Sequence, residues 1–208
     1  MKSNTVTRRL TPKGLATRHR IVAAAAALMY ERGVTATTTE DILRAAEVKS
    51  PSQLYHYFGD KRALVQAVIQ HQTEQVLDFQ RPLLSRLDSF ESLEAWRDAV
   101  VQAQHSRNCE GGCPLGSLAA ELSDVDPGAR EQLMTGYGQW EGAVREGLVS
   151  MRERGELDAA ADPGYLALAL LTALQGGLLM TQNRRDTLAL ETVLDAMIDR
   201  IRIHAVAR

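Results

Sequence analysis

Apolar residues recur at spacings of three and four over most of the chain, and no stretch shows the alternation between hairpin turns that a strand needs. Ile21, Val22, Ala25, Leu28 and Met29 form the stripe of a helix that Thr17 can cap and Gly33 can stop. Thr38 or Thr39 can cap a short helix through Ala46, with Ile42, Leu43 and Ala46 on its inner face. Ser50-Pro51 reads as N-cap and first helical position, because proline lacks an amide hydrogen that would be unpaired there anyway. This next helix is one or two turns long, carries Gln53 to Phe58 and stops at Gly59. Asp60 can cap a longer helix with Leu64, Val65, Val68, Ile69, Val76 and Leu77 on one side, closed by Pro82.

Asp88 or Ser89 opens a helix with Leu93, Trp96, Val100 and Val101. The turn-rich run Asn108–Pro114 separates it from a short helix near Leu115–Leu122. Asp126-Pro127 and Asp162-Pro163 repeat the cap-plus-proline device before two long helices. The first carries Leu133, Met134, Tyr137, Trp140, Val144, Leu148 and Met151 as far as Gly155. The second, Tyr165–Thr181, is apolar nearly all round, which predicts burial. Thr187 leads into a last helix with Leu190, Val193, Leu194, Met197, Ile198 and Ile201. The pattern predicts an all-α protein of about nine helices. The last two have apolar faces on both sides, more than one chain needs, and so predict a homodimer that pairs through them.

With 45% hydrophobic and 24% charged residues among 208, global disorder is excluded. No window approaches the roughly 18 consecutive apolar residues of a membrane span: Ile21–Tyr30 stops at Glu31, and Tyr165–Leu174 is broken by Thr172. No membrane partner and no secretory signal are therefore expected, and the cytoplasm is the expected location. Two cysteines, Cys109 and Cys113, make no disulfide framework. Charge adds more. Residues 1–62 hold eleven Lys and Arg against five Asp and Glu, with no acid before Glu31, whereas the remainder holds thirteen against twenty-one. This reversal is equally open to a polyanion-binding head on a body with another job and to a loose basic tail on an ordinary acidic domain.

Within the basic third, three short helices precede a longer one, the organisation of a helix-turn-helix reader. B-DNA's major groove is about 12 Å wide and admits one helix, which must offer polar groups outward. Ser50, Ser52, Gln53, Tyr55, His56 and Tyr57 do so, while Leu54 and Phe58, four apart, face inward. The wording is more specific. Residues 36–64, above all Leu54-Tyr55-His56-Tyr57-Phe58-Gly59-Asp60-Lys61 followed by Ala63-Leu64, resemble the DNA-binding unit of the TetR family of transcriptional repressors. Gly112–Leu122 and Leu174–Leu179 are similar to one branch of it, the LmrA/YxaF-like regulators.

The resemblance implies a basic arm over residues 1–16, a DNA-binding domain over 17–62, and an effector-binding and dimerisation domain over 63–208. It implies a homodimer that binds a palindromic double-stranded operator, represses a nearby gene and lets go when a small molecule occupies the body. By position, Thr38 and Thr39 would contact phosphate; Lys49, Ser50, Ser52 and Gln53 would start the reading helix; Tyr55 and His56 would lie on its exposed side; Tyr57 and Lys61 would hold the DNA backbone. Two departures stand out: Glu47 occupies the turn's usual glycine, and one residue is added between Val48 and Leu54.

By the same resemblance Trp96, His105, Met134, Tyr137, Trp140 and Gln175 sit on helices around the effector cavity, where aromatics and Met suit a flat apolar ligand. The same spacings also suit plain core. Cys113 joins them as a candidate, and with Cys109 and His105 it opens an alternative, a thiol- or metal-sensing DNA-binding regulator. Zinc sites normally need four ligands, and only three are near, so no metal is expected. A helical enzyme is the remaining reading. It lacks a phosphate-cradling loop and a His-Glu metal motif, so neither catalysis nor a cofactor is expected.

Overall fold

The computed structural model describes residues 10–206. Among them nine helices run α1 Pro12–Arg32, α2 Thr39–Ala45, α3 Pro51–Phe58, α4 Lys61–Leu84, α5 Phe90–Ser106, α6 Pro114–Leu122, α7 Pro127–Glu153, α8 Pro163–Arg184 and α9 Leu188–Arg202. The expected all-α architecture is what forms, with one isolated bridge pairing Leu157 and Ala205. Two compact units divide at His71/Gln72, inside α4 and nine residues beyond the expected boundary at residue 62.

In the first unit α1 starts earlier than expected. Thr11 caps it by accepting from the Gly14 amide at 3.2 Å, and Pro12 takes the first helical position. This is the same cap-plus-proline device that opens α7 and α8. Thr17 instead turns its hydroxyl back to the Lys13 carbonyl, 3.0 Å away. Of the arm expected over residues 1–16, residues 12–16 are therefore helical, and its first nine residues lie outside the described ones.

Thr38 caps α2 by accepting from the Asp41 amide at 3.1 Å. The helix ends in a left-handed residue, Glu47 at φ 54°, with Val48 N–H donating to the Leu43 carbonyl and Glu47 N–H to that of Arg44. That is a Schellman closure, and Leu43 and Val48 are both buried beneath it. A Cβ is strained in this backbone, the physical reason for the glycine that the resemblance implies at this turn. In α3, Leu54 is 1% and Phe58 7% exposed, whereas Pro51, Ser52, Gln53, Tyr55 and His56 are exposed. Asp60 caps the next helix through the Ala63 amide, 2.7 Å. Pro82 does not close α4, which runs on to Leu84. So near the end, proline removes only one amide, and Ser85 N–H still reaches the Arg81 carbonyl.

In the second unit Ser89 opens α5 with a reciprocal capping box to Ser92. Helix α8 packs on α7 and α9. It is not buried all round: Leu166, Ala167, Leu170, Leu174 and Leu178 face the core, while Tyr165, Leu168, Leu179 and Met180 are exposed. By length and mean hydropathy, 1.5, it is apolar enough to cross a membrane, contrary to the expectation from consecutive apolar runs. The contacts on one side and the apolar stripe on the other account for this composition without a bilayer. Gly177 allows α9 to approach, since a Cβ there would stand 2.8 Å from Leu190 Cδ1 and 3.1 Å from Leu190 Cα.

Glu47→Gly should raise the unfolding free energy by about 1 kcal/mol, relieving a left-handed non-glycine residue, as read from urea denaturation. Gly177→Ala should lower it by about 1–3 kcal/mol through overpacking against α9. Neutrality of the first or stabilisation by the second would contradict these local geometries.

Candidate nucleic-acid interface and interior site

An eight-residue helix is held in place mainly by what it buries. Leu54 and Phe58 enter the core, Gly59 at φ 75° turns the chain, and the Arg18 guanidinium lies 5.1 Å above the Phe58 ring. What remains outward is a polar ridge: Ser52, Gln53, Tyr55 at 53% exposure, and His56. Lys49 is exposed just before it, and Ser50, half-buried, pairs its hydroxyl with that of Ser52 at 2.7 Å in place of capping the helix. Tyr57 is half-buried and leans toward α1, where a Cβ built at Gly14 would stand 3.7 Å from its hydroxyl.

Two residues expected at phosphates have work inside the fold. Lys61 Nζ donates to the Thr37 carbonyl at 2.8 Å and the Val34 carbonyl at 3.2 Å, fastening the α1–α2 loop to the start of α4. The Thr38 hydroxyl donates to Asp41 at 2.6 Å while accepting the cap bond. The Thr38 bond, followed by desolvation acting the other way, leaves the Asp41 carboxyl below its ordinary value. Thr39, next in the chain, is half-buried.

In the second unit the expected effector residues separate into two sets. Cys113, Tyr137 and Gln175 come together around Gly116: a Cβ there would meet Gln175 Oε1 at 3.2 Å, Cys113 Cβ at 3.3 Å and the Tyr137 hydroxyl at 3.8 Å. Trp140 lies one turn beyond Tyr137 on α7 and is 2% exposed. Burial raises the Tyr137 pKa, and burial likewise pushes the Cys113 thiol up against the amides of Gly116 and Leu115, which lower it less. Trp96 is buried too, but its indole N–H is taken by Gln80 Oε1 at 2.8 Å.

His105 and Met134 do not join. His105 is exposed and its Nε2 lies 3.2 Å from the Thr187 hydroxyl at the start of α9. Met134 is 67% exposed and lines a shallow surface depression with Pro127, Arg130, Glu131 and Thr135. The inward stripe of α7 is Leu133, Gly136, Trp140 and Val144, which leaves position 134 about 100° away from Leu133. A separate open cavity of about 440 Å³ is lined by Leu77, Arg81, Leu87, Ala143, Glu146 and neighbours, and none of the expected residues borders it.

Among the described residues of this unit four buried side-chain polar atoms lack a well-formed hydrogen bond: Gln104 Oε1, Trp140 Nε1, Thr181 Oγ1 and Gln175 Nε2, the last on a side chain that also acts on the Cys113 thiol. Each such group costs about 1–3 kcal/mol relative to a satisfied one. Gln104 and Thr181 were not among the sequence candidates. The available signal was a polar residue in an otherwise apolar stretch, as with Thr181 after Gly176-Gly177-Leu178-Leu179-Met180. Among the described residues no three His, Cys, Asp or Glu side chains group to hold a metal.

Comparison with known proteins places these geometries. The model for the "Tetracyclin repressor-like, C-terminal domain" matches residues 89–197, and that for "Bacterial regulatory proteins, tetR family" matches residues 21–68. The HTH-type transcriptional repressor DhaR of Mycobacterium sp. strain GP1 is 26% identical over 187 residues, covering 88% of this chain and 90% of that one. A TetR transcriptional regulator from Chloroflexus aurantiacus superposes with a TM-score of 0.79 at 25% identity, covering 94% of this chain and 98% of the other. The reduced form of E. coli NemR does so with a TM-score of 0.70 at 27% identity, over 89% and 96%. With a reading unit and a body that both match, and with homologues that are regulators and not enzymes, the chain belongs to the TetR family of DNA-binding transcriptional regulators.

Proposed function

We propose that the protein is a ligand-responsive repressor that binds a palindromic operator as a homodimer and is released by a small apolar or aromatic effector. The observation that carries the DNA half is α3 itself, with Leu54 and Phe58 inside and Ser52, Gln53, Tyr55 and His56 outside on one short rod. Ser52, Gln53 and Tyr55 read base edges, and exposed Lys49 meets phosphate. Lys61 and Thr38 serve mainly to position the α1–α2 loop and α2, since two of the three Lys61 N–H groups and the Thr38 hydroxyl are engaged within the fold. Residues 17–62 form the reader and 63–208 the body, in the cytoplasm. Gly112–Leu122 and Leu174–Leu179 support the LmrA/YxaF-like branch.

The dimer surface lies on the last two helices, with the outer stripe of α8 at its centre: Tyr165, Leu168, Thr172, Gly176 and Leu179, spaced three and four apart and exposed in the single chain. Gly176 has nothing within 4 Å of a built Cβ, so a facing helix could come close there. Operator half-sites one or more helical turns apart require two readers held at a fixed spacing, which such an interface supplies. In the body, Cys113, Tyr137, Trp140 and Gln175 are the effector-site residues. Release follows when the effector favours a dimer geometry that no longer fits adjacent grooves. The thiol-sensing alternative gains no support: Cys109 and Cys113 are both buried, and desolvation raises the Cys113 pKa, which disfavours the reactive thiolate.

Selection of operator fragments from a random DNA pool, followed by binding titrations at several salt concentrations, tests the DNA half. Gln53→Ala should relax preference at one base pair, costing about 1–3 kcal/mol on the preferred sequence. Lys49→Ala should weaken all sequences alike and reduce the salt slope by about one per reader. A protein that selects no sequence would refute the proposal. In sedimentation experiments, Leu168→Glu with Leu179→Glu should convert a dimer to a monomer that retains its helical circular dichroism; an unchanged dimer would place the interface elsewhere.

A further inference from the structure

The open cavity of about 440 Å³ at the C-terminal end of α4 has all of its walls in the second unit. Leu77, Arg81 and Leu84, spaced four and three apart, line it from one face of α4. Ala143, Gly147 and Ser150, with the same spacing, line it from one face of α7. The loop after α4 holds these two faces in place: Leu87 is 1% exposed, and a Cβ built at Gly147 would collide with its carbonyl oxygen. Leu84, Leu87 and Gly147 are buried, and Leu77 and Ala143 half-buried, so much of the lining is apolar. Three ionisable side chains complete it. Arg81 is paired with Asp78 one turn before it, and Asp88 with Arg154 Nη1 at 3.0 Å. The third, exposed Glu146, forms no hydrogen bond or ion pair among the described residues.

We propose that this cavity binds a small organic cation, an apolar ring carrying one ammonium group. The ring lies against Leu77, Leu84, Leu87 and Ala143, and the ammonium donates to the Glu146 carboxylate. The cavity has the size of a small-molecule site, and an apolar lining with a few polar groups is what such sites offer. Charge selects the cation. Arg81 and Asp88 each have a partner of opposite sign, so Glu146 is the charge that the wall leaves unbalanced. An ammonium brings three donors and the charge that shortens and strengthens each bond to a carboxylate. An anion would face Glu146 with only the already paired Arg81 to offset it, and a neutral molecule would gain the apolar contact alone. Cys113, Tyr137, Trp140 and Gln175 do not border the cavity, so this is a second site and neither reading depends on the other.

Three probes of one skeleton separate the possibilities: 2-(1-naphthyl)ethylammonium, the neutral alcohol 2-(1-naphthyl)ethanol, and the anion 1-naphthylacetate. Each is titrated by ligand-observed NMR into full-length wild type, into Glu146→Gln, and into Ala143→Phe, whose ring would fill the cavity. Circular dichroism melts verify that the variants fold. The ammonium should bind wild type about fivefold more tightly than the alcohol, the upper end for an ion pair that water can reach. That margin should shrink as salt is added. The carboxylate should bind more weakly than the alcohol. Glu146→Gln should bring the ammonium down to the level of the alcohol, and Ala143→Phe should abolish binding of all three. Because position 146 is exposed, Glu146→Gln keeps the test decisive even if Ala143→Phe fails to fold. Equal binding of ammonium and alcohol, a preference that survives Glu146→Gln, tightest binding of the carboxylate, undiminished binding to a folded Ala143→Phe, or no binding of any probe would overturn the proposal.

Discussion

Two side chains hold the reader's geometry together. A helix of eight residues is not stable alone in water, and in α3 the stabilising contacts come from Leu54 and Phe58, one turn apart and almost fully buried. Pro51 fixes the first helical position and Gly59 turns the chain at the end, so neither terminus of the helix can extend. Once those two apolar groups are placed, the period of the helix leaves Ser52, Gln53, Tyr55 and His56 no choice but to face outward. The polar ridge is a by-product of the buried pair. Its aim depends in turn on the left-handed turn at Glu47 and on α1, whose Arg18 covers Phe58.

The basic character of this head is not the same thing as phosphate binding. Lys61 belongs to the cationic excess of residues 1–62, yet two of its three N–H donors are spent on the Thr37 and Val34 carbonyls. Thr37 adds a bond from its own hydroxyl to the Gly33 carbonyl at 2.7 Å, so the loop between α1 and α2 is tied at several points. A lysine of the basic head belongs to the field that attracts DNA, while the geometry of this one serves the loop. Exposed Lys49, next to α3, is a different kind of group, the one proposed to meet a phosphate.

Most of the fold was legible because it is written in local chemistry. Ser50-Pro51, Asp126-Pro127 and Asp162-Pro163 each opened a helix where the sequence places one. The missed start at Thr11-Pro12 carries the same signature and was hidden by a stretch without apolar periodicity. Pro82 misled in the other direction, because its cost depends on how many turns remain after it, which the residue itself does not encode. Candidate sites were less legible. Met134 and Leu133 are neighbours in sequence and both apolar, yet only Leu133 lies on the inward stripe. His105 is drawn to Thr187, far along the chain, a pairing that no spacing announces. Internal satisfaction is equally invisible in one dimension: Trp96 and Trp140 look alike as buried indoles, but Gln80 completes only the first.

Helix α8 shows why composition alone could not assign burial. Its apolar residues serve two surfaces on opposite sides, and adjacent glycines separate them. Gly177 faces Leu190 and Val193 so closely that a methyl group would collide, which commits that side to packing within the chain. Gly176, one residue earlier and 100° around the helix, faces open space beside the exposed Leu179 and Met180. A helix apolar only on its inner side would gain nothing from the second set, and leaving Tyr165, Leu168 and Leu179 in water has a standing free-energy cost of roughly 25 cal/mol per Å² exposed. In the proposed dimer a second copy of the same helix would remove that cost with a single two-fold contact, and a two-fold axis is also the symmetry that the proposed palindromic operator would require. On that proposal the excess apolarity of α8 and the single reader per chain are two halves of one requirement.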